Sequence, residues 1–323
     1  MHHAYNIVKS GDILKKQLWA EFTLLLITVV WGATFLVVQN AIAVLPPNTF
    51  NGVRFTIATA FLAVILLFYP NLRSAFTPKL IRHGVWIGFW LFLVYAFQTI
   101  GLQYTTPSKA GFITGLAVVL VPLFSIFLLK QKLGWQAISG IVAAVVGLYL
   151  LTISETIGLN FGDVLVFGCA ISGALQLVFT GKYAPQHPAL PLAIVQLLTV
   201  AVISWLCGFL FEDWHKAFDA DAMLDPNVTW GLLITAIPAT AIAFLAQTAF
   251  QKLTTPTRMA LIFALEPVFA AITSFVFIDE VLTARQMFGC ILILSGMLIT
   301  ELPFKAWFQF LFARKKSMPT AEK

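Results

Sequence analysis

Residues 98–122, QTIGLQYTTPSKAGFITGLAVVLVP, are echoed 149 positions later by residues 247–271, QTAFQKLTTPTRMALIFALEPVFAA, and this shared register decides the fold. Gln98-Thr99 falls on Gln247-Thr248, Thr105-Thr106-Pro107 on Thr254-Thr255-Pro256, and Lys109 on Arg258. Farther along, the same shift sets Gly140 on Gly289 and Gly147 on Gly296. Single identities between apolar segments mean little, but polar, proline and glycine positions recurring in one register across three apolar runs indicate a duplication. Upstream, a shift of 141 or 142 sets Gly32-Ala33 on Gly173-Ala174 and Arg54 on Gln196. The acidic stretch from Glu212 to Asn227 accounts for the change in shift, and it is expected to form a surface loop or short interfacial helix with no chemistry assigned.

Each copy is too apolar for a soluble core. Of 323 residues, 59% are hydrophobic and 11% charged, with a mean hydropathy of +0.90; soluble domains carry about 25% charged residues. A bilayer tolerates such a chain if every span satisfies its own backbone hydrogen bonds, which helices do. Windows of sufficient length fall at 19–38, 48–69, 84–104, 107–129 and 135–153, and again at 162–181, 188–211, 228–251, 256–278 and 284–302. The expected fold is therefore an all-α integral membrane protein of ten transmembrane helices. Five spans per copy is an odd number, so the two five-helix repeats are inverted relative to each other, an architecture common among secondary transporters.

The expected organisation is a cytoplasmic segment 1–18, a first repeat 19–153, a second repeat 154–303 with the outer loop 212–227, and a cytoplasmic interfacial tail 304–323. No signal-peptide cleavage pattern precedes the first hydrophobic run, which is expected to remain as a span. Orientation follows the lysine and arginine bias. With the N-terminus inside, Lys9, Lys79, Arg82, Lys130, Lys182, Lys252 and Arg258 lie with most other basic residues on the cytoplasmic side, leaving Lys109, Lys216 and Arg285 outside. Both termini are thus expected in the cytoplasm, the plasma membrane being the setting. The net charge of +6 resides in these loops, which argues against a nucleic-acid partner. Cys169, Cys207 and Cys290 lack metal-ligand spacing and fit as packing residues; no metal or cofactor is expected.

The segments VVWGATF at Val29–Phe35, VRFTIA at Val53–Ala58 and PSKAGFITGLAVVLVPLFS at Pro107–Ser125 resemble the drug/metabolite transporter superfamily, EamA type. So do TTPTRMALIFALEPVFAAI at Thr254–Ile272 and DEVLTARQMFGCILILSGMLI at Asp279–Ile299. The resemblance implies a permease with two EamA repeats, four helices of each surrounding a central cavity and the fifth of each at the periphery. Bacterial members are mostly plasma-membrane exporters of amino acids and other metabolites. The acidic pair Asp279-Glu280 has no counterpart at Lys130-Gln131-Lys132 in the first repeat.

Several side chains are too polar for a span without a purpose. Glu266, near the middle of the ninth span, costs several kcal/mol unless it is neutral, paired or facing water. It is a candidate protonation and coupling site, a contact for a substrate amine, or a structural acid beside Pro267. Arg54 either snorkels to the surface or faces a cavity, where it would hold a carboxylate or pair with Glu266. Gln98 and Gln247, with Gln176 and Thr34, either tie helices together or orient a ligand, and the two equivalent glutamines are placed to face each other. Trp31, Trp90 and Tyr95 are the aromatic candidates for a cavity wall. Pro122 and Pro267 lie four residues out of register, which predicts helix distortions at different depths in the two repeats. The seven-residue spacing of Gly140 and Gly147, and of Gly289 and Gly296, predicts close helix packing, and Thr283-Ala284-Arg285-Gln286 predicts a capping box opening the tenth helix.

No Walker A, HExxH, GxSxG or Rossmann glycine pattern occurs, so neither an ATP-driven pump nor an ordinary hydrolase is expected. The expected function is a transmembrane transporter, a secondary-active exporter or exchanger of small metabolites such as amino acids or aromatic amphipathic compounds, with protons as candidate coupling ions. A passive facilitator of the same solutes is the alternative, and a membrane-embedded lipid-modifying enzyme a weaker one.

Overall fold

A computed structural model describes residues 2–152, 160–278 and 283–301. The tail 304–323 and the pair Asp279-Glu280 lie outside the described residues. The first repeat comprises α1 (His2–Val44), α2 (Pro47–Leu67), α3 (Pro78–Gly101), α4 (Pro107–Gly115 continued as Ala117–Leu129) and α5 (Trp135–Thr152). The second comprises α6 (Phe161–Tyr183), α7 (Ala189–Phe211), α8 (Pro226–Ala236, a π-helical turn Ile237–Ile242 and Ala243–Phe250), α9 (Pro256–Phe263 and Glu266–Ile278) and α10 (Ala284–Glu301). Eight of these are long and apolar enough to cross a membrane, and α5 and α10 contribute shorter apolar helices. Large apolar side chains such as Phe127, Leu206 and Phe275 point outward, as lipid-facing surfaces require.

Proline opens several of the helices. Pro47, Pro78, Pro226 and Pro256 stand in the first turn of α2, α3, α8 and α9, where the missing N–H would be unpaired in any case. Thr77 and Thr255 accept from backbone N–H groups three residues on. Thr283 and Gln286 exchange the reciprocal bonds of a capping box at α10.

Helices of one repeat pack mainly on helices of the other: α2 on α7, α3 on α6 and α7, α1 on α8 and α9, and α5 on α10. The α5–α10 contact is made at the spaced glycines. A Cβ on Gly140 would lie 2.6 Å from the Gly296 carbonyl oxygen, and one on Gly147 2.6 Å from that of Gly289, so only hydrogen permits this approach. The end of the bundle where α1 begins is called proximal here, the other distal.

One expectation is corrected. The distortions of α4 and α9 sit in register, not at different depths: α4 is interrupted at Leu116 and α9 at Ala264-Leu265, and Leu116 and Leu265 are 149 positions apart. At each break the backbone tightens, Leu116 N–H bonding the Ile113 carbonyl and Leu265 N–H that of Ile262. Pro267 falls in the first turn of its new helix, where it fits. Pro122 lies inside the Ala117–Leu129 helix, so it is not what sets the break in α4.

The acidic stretch takes the short-helix form that was one of its two expected forms. It forms short helices at Trp214–Phe218 and Ala220–Leu224, but its first residue is structurally committed. Glu212 accepts from Asn48 N (2.9 Å), Asn48 Nδ2 (2.8 Å), Thr49 N (2.8 Å) and Thr49 Oγ1 (2.9 Å). A carboxylate here satisfies orphan donors at the positive end of α2 and ties that helix to α7.

Candidate functional site

Between the repeats lies a cavity of about 130 Å³, far above the roughly 10–15 Å³ that one water requires. Its wall comes from α1, α2, α3 and α4 of the first repeat and from α6, α8 and α9 of the second. The resemblance implied four helices from each; α7 contributes none, because its polar residue Gln196 is wholly buried and turned to Thr248. Both helix breaks form part of the wall, through Thr114, Gly115 and Ala117 on α4 and Phe263, Ala264 and Glu266 on α9. Irregular backbone is tolerated in a membrane where it lines such a space.

Eight of the nine candidate residues meet there: Trp31, Thr34, Arg54, Tyr95, Gln98, Gln176, Gln247 and Glu266. Trp90 stands apart, packed among Trp86, Phe89 and Phe179. Arg54 is 2% exposed, which rules out snorkelling. Its Nε donates to Thr240 Oγ1 at 2.7 Å and its Nη2 to the Tyr95 hydroxyl at 3.5 Å, while the guanidinium carbon lies 4.7 Å from the Tyr95 ring centre. A planar cation held by an acceptor at one edge and an aromatic face presents its remaining N–H groups to the cavity. No ion pair joins Arg54 to Glu266 among the described residues.

Glu266 opens the second segment of α9, whose backbone packs so closely on α1 that a Cβ on Gly32 would lie 2.6 Å from the Glu266 carbonyl oxygen. The cavity therefore carries one cation and one carboxyl group, drawn from opposite repeats and left separate.

The remaining polar groups are largely committed. Trp31 Nε1 donates to the Ala239 carbonyl at 2.8 Å, and Thr34 bonds its own helix at the Trp31 carbonyl. Gln247 donates to Gln176 Oε1 at 3.1 Å, a partner in its own repeat, and Gln176 donates to Thr180; Gln247 thus bonds Gln176 rather than Gln98.

Trp31 packs on Phe244 and Phe263, both of which line the cavity. Sequence reading did not single out these two phenylalanines, since 30 of them offered no way to choose. It also passed over Thr240, whose π-helical turn carries both the acceptor for Arg54 and, at Ala239, the acceptor for Trp31. Pro238 was the available signal: it removes a backbone donor within α8, and π turns often mark functional positions. Cys169, read as packing, also lines the cavity.

Comparison with known proteins agrees with this architecture. The model of the EamA-like transporter family matches residues 18–153 and again 160–302. An uncharacterized transporter of Archaeoglobus fulgidus is 36% identical over 287 residues, covering 89% of this chain and 87% of its own length. A probable amino-acid metabolite efflux pump of Salmonella typhimurium is 24% identical, covering 88% of this chain and 95% of its own length. One crystal structure superposes with a TM-score of 0.71 at 20% identity, covering 92% of this chain and 99% of that one, a likeness of fold.

Proposed function

The chain belongs to the EamA-like transporter family, and we propose that it is a secondary-active exporter or exchanger of small zwitterionic or aromatic metabolites, amino acids foremost. The observation that carries this reading is the separation of Arg54 and Glu266 on opposite repeats around one cavity with Trp31, Phe244 and Phe263 in its wall. A guanidinium pairs with a carboxylate in bidentate fashion, a carboxylate accepts an ammonium, and the aromatic wall takes an apolar side chain. Relatives in Salmonella typhimurium and Escherichia coli named probable amino-acid metabolite efflux pumps add weight to this substrate class. Trp31, Thr34, Tyr95, Gln98, Gln176 and Gln247 complete the proposed contacts.

Glu266 is the proposed coupling group. Protonation drives transport only if it changes which cavity state or which substrate is favoured, and a carboxyl beside the substrate's amine does so by binding either the ammonium or a proton. The basic loops place both termini in the cytoplasm of a plasma-membrane protein in this reading, and reporter fusions to each terminus test it. The substrate class is tested by thermal shift of the purified protein against amino acids, nucleosides, sugars and cationic drugs, followed by flux in proteoliposomes with and without a pH gradient. Stabilisation by amino acids with gradient-dependent flux is expected; stabilisation by sugars or nucleosides alone would overturn it.

A further inference from the structure

Outside the cavity, the seam between α3 and α6 carries a second arrangement at the proximal end. On α3, Lys79, Arg82, Trp86 and Phe89 follow one another at spacings of three and four, which keeps them on one helix face. All four are exposed, Trp86 by 43% and Phe89 by 37%, so the face looks out of the bundle into lipid. Across the seam α6 supplies Phe179, whose ring centre lies 5.7 Å from that of Trp86, and Tyr183, stacked on His83 at 4.0 Å. Lys182 Nζ lies 5.5 Å from the Tyr183 ring centre.

The cations share this end of the seam: Arg82 adjoins His83 and Lys79 lies one turn before it, while Lys182 sits over Tyr183, whose ring stacks on His83, and none of the three has an ion-pair partner among the described residues. His83 Nδ1 and His187 Nε2 are 2.8 Å apart, one donating to the other, and Lys252 donates to the His187 carbonyl at 2.6 Å, which fixes the floor beneath them. An apolar aromatic stripe therefore ends, on the side of the membrane surface, in three unneutralised cations. That order of groups along the membrane normal is the order of groups in an anionic phospholipid: acyl chain, then phosphate. Basic pockets between membrane helices bind such headgroups.

We propose that this seam binds an anionic phospholipid, its phosphate held by Lys79, Arg82 and Lys182 and an acyl chain lying on Trp86, Phe89 and Phe179. The site is separate from the substrate cavity, and the assignment does not depend on what the cavity transports. The three cations are exposed, so replacing them leaves the buried contacts intact.

The test is a titration of the purified full-length protein with phosphatidylglycerol in a phosphatidylcholine background, followed by native mass spectrometry. Phosphatidylglycerol is expected to bind the wild type in preference to phosphatidylcholine. The double variant Arg82→Gln/Lys182→Gln should bind it about 25-fold more weakly, from roughly fivefold per basic residue near the surface. Lys130→Gln/Lys132→Gln, a basic pair in the turn between α4 and α5, should leave binding unchanged. Trp86→Ala should weaken phosphatidylglycerol but not a short-chain analogue that lacks the acyl length. Unchanged binding in Arg82→Gln/Lys182→Gln would overturn the proposal, as would an equal loss in the Lys130/Lys132 variant. Displacement of the lipid by millimolar inorganic phosphate alone would do so as well, by making the site one for a free anion.

Discussion

Where the first repeat carries Arg54 the second carries Gln196, and where the second carries Glu266 the first carries Ala117. The backbone around these positions stays duplicated, down to the interruptions at Leu116 and Leu265. The chemistry does not. Arg54 faces the cavity while Gln196 turns away from it to Thr248, and Glu266 lines a wall that Ala117 lines with a methyl group. Duplication thus supplied a symmetric frame with a space at its centre, and divergence at two positions gave that space a guanidinium on one side and a carboxyl group on the other. In the proposed reading a ligand with both charges is oriented by this difference, which two identical repeats would lack.

The comparison breaks most severely if the first repeat is made to copy the second. Arg54→Gln removes the one cation on the cavity wall among the described residues and is expected to weaken binding of a carboxylate-bearing substrate about 10- to 100-fold, the range for losing hydrogen bonds to a charged group. Thermal-shift titration measures it, and near-normal affinity would place the carboxylate elsewhere. Glu266→Gln keeps shape and removes the titrating group. It should preserve folding and, at reduced affinity for the amine, substrate exchange, while the response of net flux to a pH gradient vanishes; intact gradient-driven flux would remove Glu266 from coupling.

A gentler probe separates Arg54 from its support. Thr240→Ala leaves the charge and deletes the acceptor for Nε, so affinity should fall about fivefold, one neutral-partner hydrogen bond's worth, with a smaller change in melting temperature. A symmetric position sharpens the contrast from the other side. Gly147→Ala forces a methyl against the Gly289 carbonyl and should cost about 1–3 kcal/mol of stability, while transport per folded molecule stays the same. Gly134→Ala, with nothing within 4 Å, should change neither.

The smallest expected effect lies at the proximal end. Burial, with Lys79 and Lys252 nearby, holds His187 below the ordinary histidine range. A histidine with a lowered folded pKa gains protons on unfolding, so its contribution is full above the unfolded value near 6.5 and is lost as pH falls below it. The melting temperature should decline modestly from pH 7.5 to 5.5, and His187→Gln should flatten that slope.

Much of the fold was legible because its signals are local or periodic. The spans expected from 48 and from 256 begin in the structure at Pro47 and Pro256, and the glycine spacing marked the α5–α10 seam. Glu212 was not legible as a cap for α2, since nothing in the chain near it points to Asn48 and Thr49, 164 and 163 residues away. Nor did proline position reveal the helix breaks, because Pro267 is accommodated in a first turn and the break in α4 occurs without a matching proline.

By itself the sequence determined that this chain lives in a membrane, that its backbone must be helical there, and that it is two copies of one five-helix unit. Those conclusions rest on hydropathy, on the need of each span to bond its own backbone, and on register, all of which are properties of the chain read in one dimension. Only the tertiary structure decided which polar residues share a space. Arg54, Tyr95 and Thr240 come from three helices up to 186 residues apart, and Trp90, equally aromatic and equally near in sequence, falls outside the wall. Which side of a helix faces the cavity depends on its rotation and on the neighbour packed behind it, and in spans as uniformly apolar as these no amphipathic stripe records that choice.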